Sequence, residues 1–389
     1  MNNQSIFTRH YDAIVVGARP AGAGTALLLA RRGLRVLMVD RGVYGTDTLS
    51  THALMRAGVV QLARWGVLPR IIAQRTPAIT AATFTYGDDQ LTVPVKARDG
   101  ISGLYAPRRF VLDRALVDAA EADGVATAFE TSVRDLIRDS HNRVCGVVAR
   151  TDSGDTVNIS AGLVVGADGM RSSIAQLVKA PITTAGTSSS ANVYGYWSGL
   201  RQDEYRWYYG VGAAAGAIPT NDGLTCVFAS VPTQRFADTF AADVGRGYLG
   251  VLKKVAPDLL ASPQSRRLVT RLRGFAGLPA HLRQHAGPGW VLVGDAAYYK
   301  DPLTAHGITD ALVEAEYLSA AIAENSDRAL ARYAADRDER VSEIFRVTDS
   351  VASFAWTLDE ARILHKALAT AMSDEVLALG AFTRQAVAS

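Results

Sequence analysis

The chain alternates short apolar runs with longer segments in which apolar residues recur at helical spacing. Residues 11–16 are an apolar run that ends at Gly17, residues 20–32 are rich in Ala and Leu, and residues 34–39 are a second apolar run. A buried parallel strand reads as a continuous apolar run, and a glycine commonly ends a helix. The pattern therefore predicts a strand, a helix that stops at Gly33 and a second strand, which together form one β-α-β unit.

Later segments continue both patterns. Helical spacing returns in residues 53–65, in residues 110–122 and from Asp310 onward, while the apolar runs at 144–148 and 163–165 predict further strands. Two other blocks are rich in alternating apolar positions and aromatic residues, which is typical of antiparallel strands. We therefore predict an α/β fold that combines a Rossmann-type nucleotide-binding domain, an inserted mixed or antiparallel β-sheet domain for the substrate, and C-terminal helices. The nucleotide-binding domain comprises residues 1–75, 101–180 and 271–325. The substrate domain comprises residues 76–100 and 181–270, and the C-terminal helices comprise residues 326–389.

The composition narrows the class of protein. Hydrophobic residues make up 48% and charged residues 20% of the 389, as in an ordinary globular protein, and the net charge of +3 gives no reason to expect a nucleic-acid partner. The two cysteines lack metal-ligand spacing and predict neither a disulfide framework nor a metal site. Residues 1–10 are polar, without a secretory hydrophobic region, and no uncharged apolar run reaches the roughly 18 residues that span a bilayer. We therefore expect a cytoplasmic protein without a membrane span.

The turn between the first predicted strand and helix carries the sequence Gly17-Ala-Arg-Pro-Ala-Gly22. Gly17 permits a sharp turn, Gly22 lets the helix lie close to the strand, and the amides and dipole at the helix start attract a pyrophosphate. Arg19 replaces the usual middle glycine, so it either lies across the phosphate or keeps it at a greater distance. Asp40, which ends the second strand, can accept both ribose hydroxyls of an adenosine and would repel a 2′-phosphate. The alternative is a tight turn in an unrelated α/β protein.

Two later apolar runs end in comparable motifs. Asp168, in the run from Leu163 to Gly169, precedes a predicted helix, so it either caps that helix or holds a hydroxyl or water near the phosphates. Asp295, after Gly294, can bind the hydroxyls of a ribityl chain; the alternative is an exposed loop. A helix that begins near Gly307 would place its positive end beside the N1–C2=O edge of a flavin and stabilise the anionic reduced form. The three motifs, in this order, predict one flavin site.

These motifs and the order of elements resemble the FAD-dependent family with the 4-hydroxybenzoate hydroxylase fold, which contains aromatic monooxygenases, geranylgeranyl reductases and halogenases. The resemblance implies FAD in an extended form, with its isoalloxazine ring along residues 302–307. It also implies that Arg56 reaches the pyrophosphate, that Arg109 contacts the ribityl region and that Val133 lies beside the adenine. The expected cofactor-binding residues are Gly17, Ala18, Arg19, Pro20, Ala21, Gly22, Asp40, Arg41, Arg56, Arg109, Val133, Asp168, Gly294, Asp295, Pro302, Ala305, His306, Gly307 and Ile308.

The same resemblance implies an activity. In the family's monooxygenases NADH or NADPH docks transiently and reduces FAD, and O2 then forms a flavin C4a-hydroperoxide that transfers one oxygen atom to the substrate. No second dinucleotide fingerprint occurs in this chain, which agrees with transient docking. We therefore expect a single-component monooxygenase of a small apolar or aromatic molecule, with a role in natural-product biosynthesis. The alternatives are a reductase of isoprenoid double bonds, similar to geranylgeranyl reductases, and a flavin-binding protein without turnover.

Two histidines are candidates for proton transfer. His52 lies in a loop just before a predicted helix, and His306 lies in the third motif, where hydroxylases commonly have Gly-x-Gly-x-Asn. Either could instead be a histidine that only bonds nearby backbone. Tyr196, Trp207 and Tyr209 are candidates for contact with the substrate, although alternation along a strand places about half of such residues on the other face.

Overall fold

The computed structural model describes residues 6–48, 50–98, 100–261 and 266–388. The first five residues of the polar N-terminal segment, on which the expected location depends, lie outside the described residues. Within those ranges, no helix combines the length and the apolarity that crossing a bilayer requires.

The secondary structure consists of strands, helices and short single turns. The strands are β1 (Tyr11–Val16), β2 (Val36–Val39), β3 (Ala81–Tyr86), β4 (Asp89–Pro94), β5 (Ala126–Ala128), β6 (Ser132–Arg138), β7 (Val144–Arg150), β8 (Thr156–Gly166), β9 (Ile182–Ala185), β10 (Ser190–Ser198), β11 (Glu204–Gly210), β12 (Ala213–Pro219), β13 (Thr225–Pro232), β14 (Arg267–Leu268), β15 (Arg273–Phe275), β16 (His281–Arg283), β17 (Ala286–Gly287), β18 (Trp290–Leu292) and β19 (Tyr298–Tyr299). The α-helices are α1 (Pro20–Arg31), α2 (Arg56–Arg64), α3 (Leu68–Ala73), α4 (Arg109–Ala122), α5 (Ser173–Leu177), α6 (Val244–Val255), α7 (Gly307–Ala323), α8 (Asp327–Ala352) and α9 (Leu358–Ala388).

The first sheet is the nucleotide-binding sheet, and its parallel centre has the strand order β18-β8-β1-β2-β5. Both faces of this centre are buried, which explains the continuous apolar runs in the sequence. Along β1, Ala13 and Val15 join the core that contains α1, whereas Ile14 and Val16 join a second core on the opposite face. Helix α1 ends just before Gly33, which has a φ of +82°, so the predicted β-α-β unit is present.

The second sheet has the strand order β14-β10-β13-β12-β11-β3-β4, with β15 also paired to β10. It combines strands from the two blocks that the sequence predicts as the substrate domain. Strands β3 and β4 come from residues 76–100, and β10 to β13 come from residues 181–270. One face packs under α6, where Trp197 and Tyr208 are buried with Tyr248. The opposite face carries Tyr196, Trp207 and their neighbours into the core shared with α1, α2 and α9. We call this opposite face the aromatic face.

The predicted fold class is confirmed, since a Rossmann-type sheet, a second and mostly antiparallel sheet and C-terminal helices are all present. Two strands belong to other sheets than the predicted domain limits imply. Strand β15 at residues 273–275 belongs to the second sheet, and β9 at residues 182–185 pairs with β16 in a separate three-stranded sheet. The remaining domain limits stay predictions.

We expect Gly22→Ala to unfold the protein or lower its stability by about 1–3 kcal/mol or more, as overpacking does. A Cβ at Gly22 would lie 1.8 Å from the carbonyl oxygen of Gly17, where neither backbone segment can yield. The matched control is Gly250→Ala in α6, which meets no heavy atom within 4 Å and should add up to about 1 kcal/mol through helix propensity. Thermal unfolding followed by circular dichroism measures both changes, and equal effects would contradict the close approach at Gly22.

Candidate flavin site

The three glycine motifs converge at one edge of the first sheet. A Cβ on Gly17, whose φ is +109°, would lie 2.4 Å from the carbonyl oxygen of Ala167 in the second motif. A Cβ on Gly294 in the third motif would lie 2.8 Å from the Cβ of Ala21 in the first. Because β1, β8 and β18 are parallel neighbours, their carboxyl ends present these motifs side by side.

The turn after β2 is organised by Asp40. One carboxylate oxygen accepts the amide of Ala18 at 2.7 Å and the other accepts the amide of Gly42 at 2.6 Å, so Asp40 connects the glycine loop to the turn that follows its own strand. A narrow cavity opens beside it, with both charged and aromatic walls. Its lining residues are Ala18, Arg19, Asp40, Val43, Tyr44, Gly45, Asp113, Val117 and Phe129. Tyr44 and Phe129, whose rings meet edge to face at 5.4 Å, were not found by sequence reasoning.

Two guanidinium groups share one buried carboxylate next to the glycine loop. Arg19 donates to Asp113 at 2.5 Å and to the carbonyl of Thr46 at 3.0 Å, and Arg109 Nε donates to the other Asp113 oxygen at 3.1 Å. Helix α1 has no side chain capping its first amides. A glycine cradle without room for a Cβ, an uncapped helix start and two arginines are the groups that a pyrophosphate requires, so these residues fit FAD.

The two later motif aspartates differ in their surroundings. Asp168 accepts hydrogen bonds from the hydroxyl of Ser172 at 2.5 Å and from the amide of Ser173 at 2.6 Å, so it caps α5, which is one of the two uses expected of it. The half-buried carboxylate of Asp295 has no hydrogen-bond partner within the part of the chain that the structure describes. Burial, with Asp310 nearby, raises the pKa of Asp295 to about 6. An unpartnered carboxylate at this edge suits a polyhydroxylated chain such as ribityl.

The segment after Asp295 is tied to the second sheet. Asp301 caps a short turn that begins at Pro302, by accepting the amide of Leu303 at 2.9 Å, and it accepts the amide and the hydroxyl of Ser190 in β10, both at 2.6 Å. Ala305, at the end of this turn, has a φ of +50°. The turn therefore places the predicted flavin-facing segment between the two sheets, and α7 begins directly after it.

Other residues that the resemblance assigns to the cofactor either contact protein groups or are exposed. Arg56 donates to the carbonyl of Lys96 at 2.6 Å, Arg41 is exposed, and Val133 pairs with Ala149 within β6 and β7. Ile308 is half-buried and packs on the main core. The cofactor roles of these residues stay predictions.

His52 and Tyr196, which the sequence suggested separately, are in direct contact. The imidazole Nε2 is hydrogen-bonded to the Tyr196 hydroxyl, and the two rings stack at a centroid distance of 5.7 Å. His52 is fully buried, has a φ of +68°, and its Nδ1 has no partner among the described residues. Burial, together with the charges of Arg108 and Arg109, lowers the pKa of His52 to about 3, so the ring is neutral at ordinary pH.

An ion pair lies against this contact. The guanidinium of Arg108 is 4.1 Å from the centroid of the Tyr196 ring and bonds the carboxylate of Asp47. Sequence reasoning did not assign Arg108 or Asp47 a role, because nothing in their local pattern shows that the loop before α2 meets the start of α4.

The other two predicted substrate residues lie on the same aromatic face. Trp207 packs against Phe228 at 5.9 Å, whereas Tyr209 packs against Tyr86 at 5.4 Å and against His365 of α9 at 4.1 Å. The C-terminal helix therefore covers part of this face. No local pattern in residues 358–388 predicts this contact.

His306, the second candidate for proton transfer, is enclosed by charged side chains. Its ring contacts Lys300, Asp310 of α7 and Glu375 of α9, and only 1% of the residue is exposed. Lys300 bonds Asp310 directly, so the cluster is a buried network of ion pairs. Glu375 was not found by sequence reasoning.

The fold and the site define an FAD-dependent oxidoreductase. A family model described as "FAD binding domain" matches residues 10–234, and the chain belongs to that family, FAD_binding_3. This confirms the predicted family.

Two curated relatives match over most of their length. Digeranylgeranylglycerophospholipid reductase 1 of Methanococcoides burtonii is 26% identical over 342 residues, which are 83% of this chain and 78% of the relative. Menaquinone reductase of Mycolicibacterium smegmatis is 28% identical over 316 residues, 76% of this chain and 72% of the relative.

Solved structures share the fold at lower identity. The flavin-dependent brominase Bmp2 superposes with a TM-score of 0.78 at 14% identity, covering 97% of this chain and 100% of the brominase. PqsL of P. aeruginosa, solved with 2-aminobenzoylacetate, has a TM-score of 0.77 at 20% identity, covering 92% and 100% of the two chains.

We expect Arg19→Ala to weaken FAD binding by about tenfold or more, because a hydrogen bond to a charged group contributes about 1.5–3 kcal/mol. Arg109 would still pair with Asp113, so the substitution leaves no buried carboxylate without a partner. The control is Arg35→Ala, which removes an exposed arginine paired with Asp12. Quenching of FAD fluorescence on titration with apoprotein gives both dissociation constants, and an Arg19 variant that binds like the Arg35 variant would exclude Arg19 from the phosphate site.

Proposed function

We propose that this protein is an FAD-dependent reductase that saturates a carbon–carbon double bond in an apolar, isoprenoid-type molecule. Saturation needs a hydride equivalent at one carbon and a proton at the other. FAD, once bound and reduced by NADH or NADPH, supplies the hydride. The protein must then supply the proton, hold the apolar chain and keep water away.

The contact between His52 and Tyr196 is the observation that carries this proposal. A buried N–H without an acceptor is costly, so the unpartnered Nδ1 of His52 favours the tautomer with the hydrogen on Nε2, which donates to the Tyr196 oxygen. The Tyr196 hydroxyl hydrogen is then free of any partner among the described residues and can be given to a substrate. The proton that it loses is regained from solvent after the product leaves, because transfer of the Nε2 hydrogen from a neutral His52 would leave an imidazolate.

The surroundings of Tyr196 suit an apolar chain. Tyr194 meets the Tyr196 ring edge to face at 5.9 Å, and Trp207, Tyr209 and Phe228 continue the same buried surface. Arg108 above the ring stabilises the negative charge that would develop on the phenol oxygen. The two curated relatives are named for the reduction of a geranylgeranyl lipid and of menaquinone, which supports the same substrate class.

A monooxygenase that inserts one oxygen atom from O2 into a small apolar or aromatic molecule is the second candidate. The observation that favours it is that α9 covers part of the aromatic face, since oxygen transfer requires a site without water. A role in natural-product biosynthesis and a cytoplasmic location belong to the same proposal.

One experiment separates the two candidates. FAD-loaded protein is reduced anaerobically with NADPH or NADH and mixed with menaquinone or with a geranylgeranylated glycerophospholipid. We expect reoxidation of the flavin without O2 and a product that has gained two hydrogen atoms by mass spectrometry. A product that forms only in air and carries one atom of labelled oxygen would overturn the reductase proposal in favour of the monooxygenase.

We expect Tyr196→Phe to lower the rate of product formation by about a hundredfold or more, which is typical when a general acid is removed. Reduction of the flavin by the nicotinamide cofactor should be unchanged, because it requires no proton from this side chain. The matched control is Tyr208→Phe, a buried tyrosine on the opposite face of the same sheet that donates to Asp258 at 3.0 Å. Equal rates in the two variants would remove Tyr196 from the proton route.

A further inference from the structure

Three elements of the fold meet at the ring of His306. Its Nδ1 lies 2.9 Å from a carboxylate oxygen of Asp310 in α7 and 3.2 Å from the ammonium of Lys300, which follows β19. Its Nε2 lies 3.2 Å from a carboxylate oxygen of Glu375 in α9. Helix α8 also packs against this segment, where the hydroxyl of Thr348 lies 3.3 Å from that of Thr304.

This geometry favours one protonation state. A neutral imidazole carries a single N–H, so one ring nitrogen would direct its lone pair at a carboxylate, whereas an imidazolium presents an N–H to Asp310 and to Glu375. Lys300 opposes this charge but is itself paired with Asp310. Burial alone would lower the pKa of His306, yet the two carboxylates outweigh it and raise the pKa to about 9.

The contact of His306 with Glu375 is less well aligned for a hydrogen bond than its contact with Asp310. Neither His306 Nε2 nor the facing oxygen of Glu375 makes a well-aligned hydrogen bond with any described residue, although the two atoms are close enough for an ion pair. The Glu375 side chain is 15% exposed and the His306 side chain is fully buried. The ion pair is a polar contact through which α9 reaches the residue that precedes α7.

We propose that Glu375 is a positioning residue: from the C-terminal helix, its carboxylate holds His306 as an imidazolium and thereby fixes α9 over the flavin and substrate site. The second attachment of α9 agrees with this role, because His365 Nδ1 bonds the Tyr86 hydroxyl at 2.9 Å and its ring lies against Tyr209. The C-terminal helix, which is remote in sequence from every motif, thus supplies part of the site. His306 acts as a fixed charge, and the proposed proton donor at neutral pH is Tyr196, to which neutral His52 is hydrogen-bonded.

The sign of the pH dependence follows from the direction of the shift. The folded-state pKa of His306 lies above the ordinary value of about 6.5, so its contribution to stability is fully present below pH 6.5 and is lost as the pH rises through about 9. Attachment of α9 should weaken over the same range. His365 changes nothing there, because burial lowers its pKa to about 4.

The test is an NMR titration of the FAD-loaded protein with carbon-13-labelled histidine, in which the His306 signal is assigned by its loss in His306→Gln. We expect the wild-type ring to stay protonated to about pH 9 and the ring in Glu375→Gln to titrate at least about one pH unit lower. The control is Asp374→Asn, which removes an exposed carboxylate from the adjacent position of the same helix and should behave as wild type. A His306 ring that titrates near pH 6.5 in the wild type, or identically in the two variants, would overturn the proposal.

Hydrogen exchange of the α9 amides provides a second reading that needs no substrate. Exchange should be faster in Glu375→Gln than in Asp374→Asn at pH 7, and Glu375→Asp should restore part of the protection because it keeps the charge. If Glu375→Gln does not fold, the wild type decides: α9 protection factors that stay unchanged between pH 7 and about pH 10 would count against the proposal. Neither measurement depends on turnover, so its failure is distinct from a failure of the proposed reductase activity.

Discussion

The close approach of three backbone segments at the carboxyl edge of the parallel sheet is the constraint on which the rest of this structure depends. Gly17 lies against Ala167, Gly22 against Gly17 and Gly294 against Ala21, each at a distance that leaves no room for a Cβ. Such contacts form only if β1, β8 and β18 are neighbours in register. The sheet order, the helix starts and the polar groups aimed at FAD are therefore consequences of one packing arrangement.

The second sheet depends on that edge through a few polar links. Asp301 bonds both the amide and the hydroxyl of Ser190, and Thr309 at the start of α7 accepts the amide of Met55 before α2. These links tie the second sheet and the residues before α2 to the segment that follows Asp295. His52 has a φ of +68° while its ring is bonded to Tyr196, so the loop before α2 carries backbone strain where it meets the aromatic face.

The parts of the site that could be predicted from sequence are those with a local cause. A glycine at a strand end, an aspartate at the end of the next strand and alternating aromatics each follow from backbone geometry within a few residues, and Gly17, Asp40 and Tyr196 were found that way. Asp113, Phe129, Arg108 and Glu375 were missed because their roles arise from packing between distant elements. A carboxylate in the middle of a C-terminal helix has the same local pattern whether it faces solvent, as Asp374 does, or a buried imidazole. Only the tertiary contact distinguishes the two.

The same residues could serve two reaction classes, and electrostatics is what separates them. Oxygen transfer needs a site from which water is excluded, whereas saturation of a double bond also needs a proton donor beside the carbon that does not receive the hydride. In this chain the aromatic face is not purely apolar, because a tyrosine hydroxyl bonded to a neutral histidine lies under an arginine. Burying that polar group costs free energy unless its hydrogen bonds are used. A hydroxyl at the centre of this largely aromatic surface, with its hydrogen directed at no described residue, suits a proton donor better than a passive wall, which supports the proposed reductase.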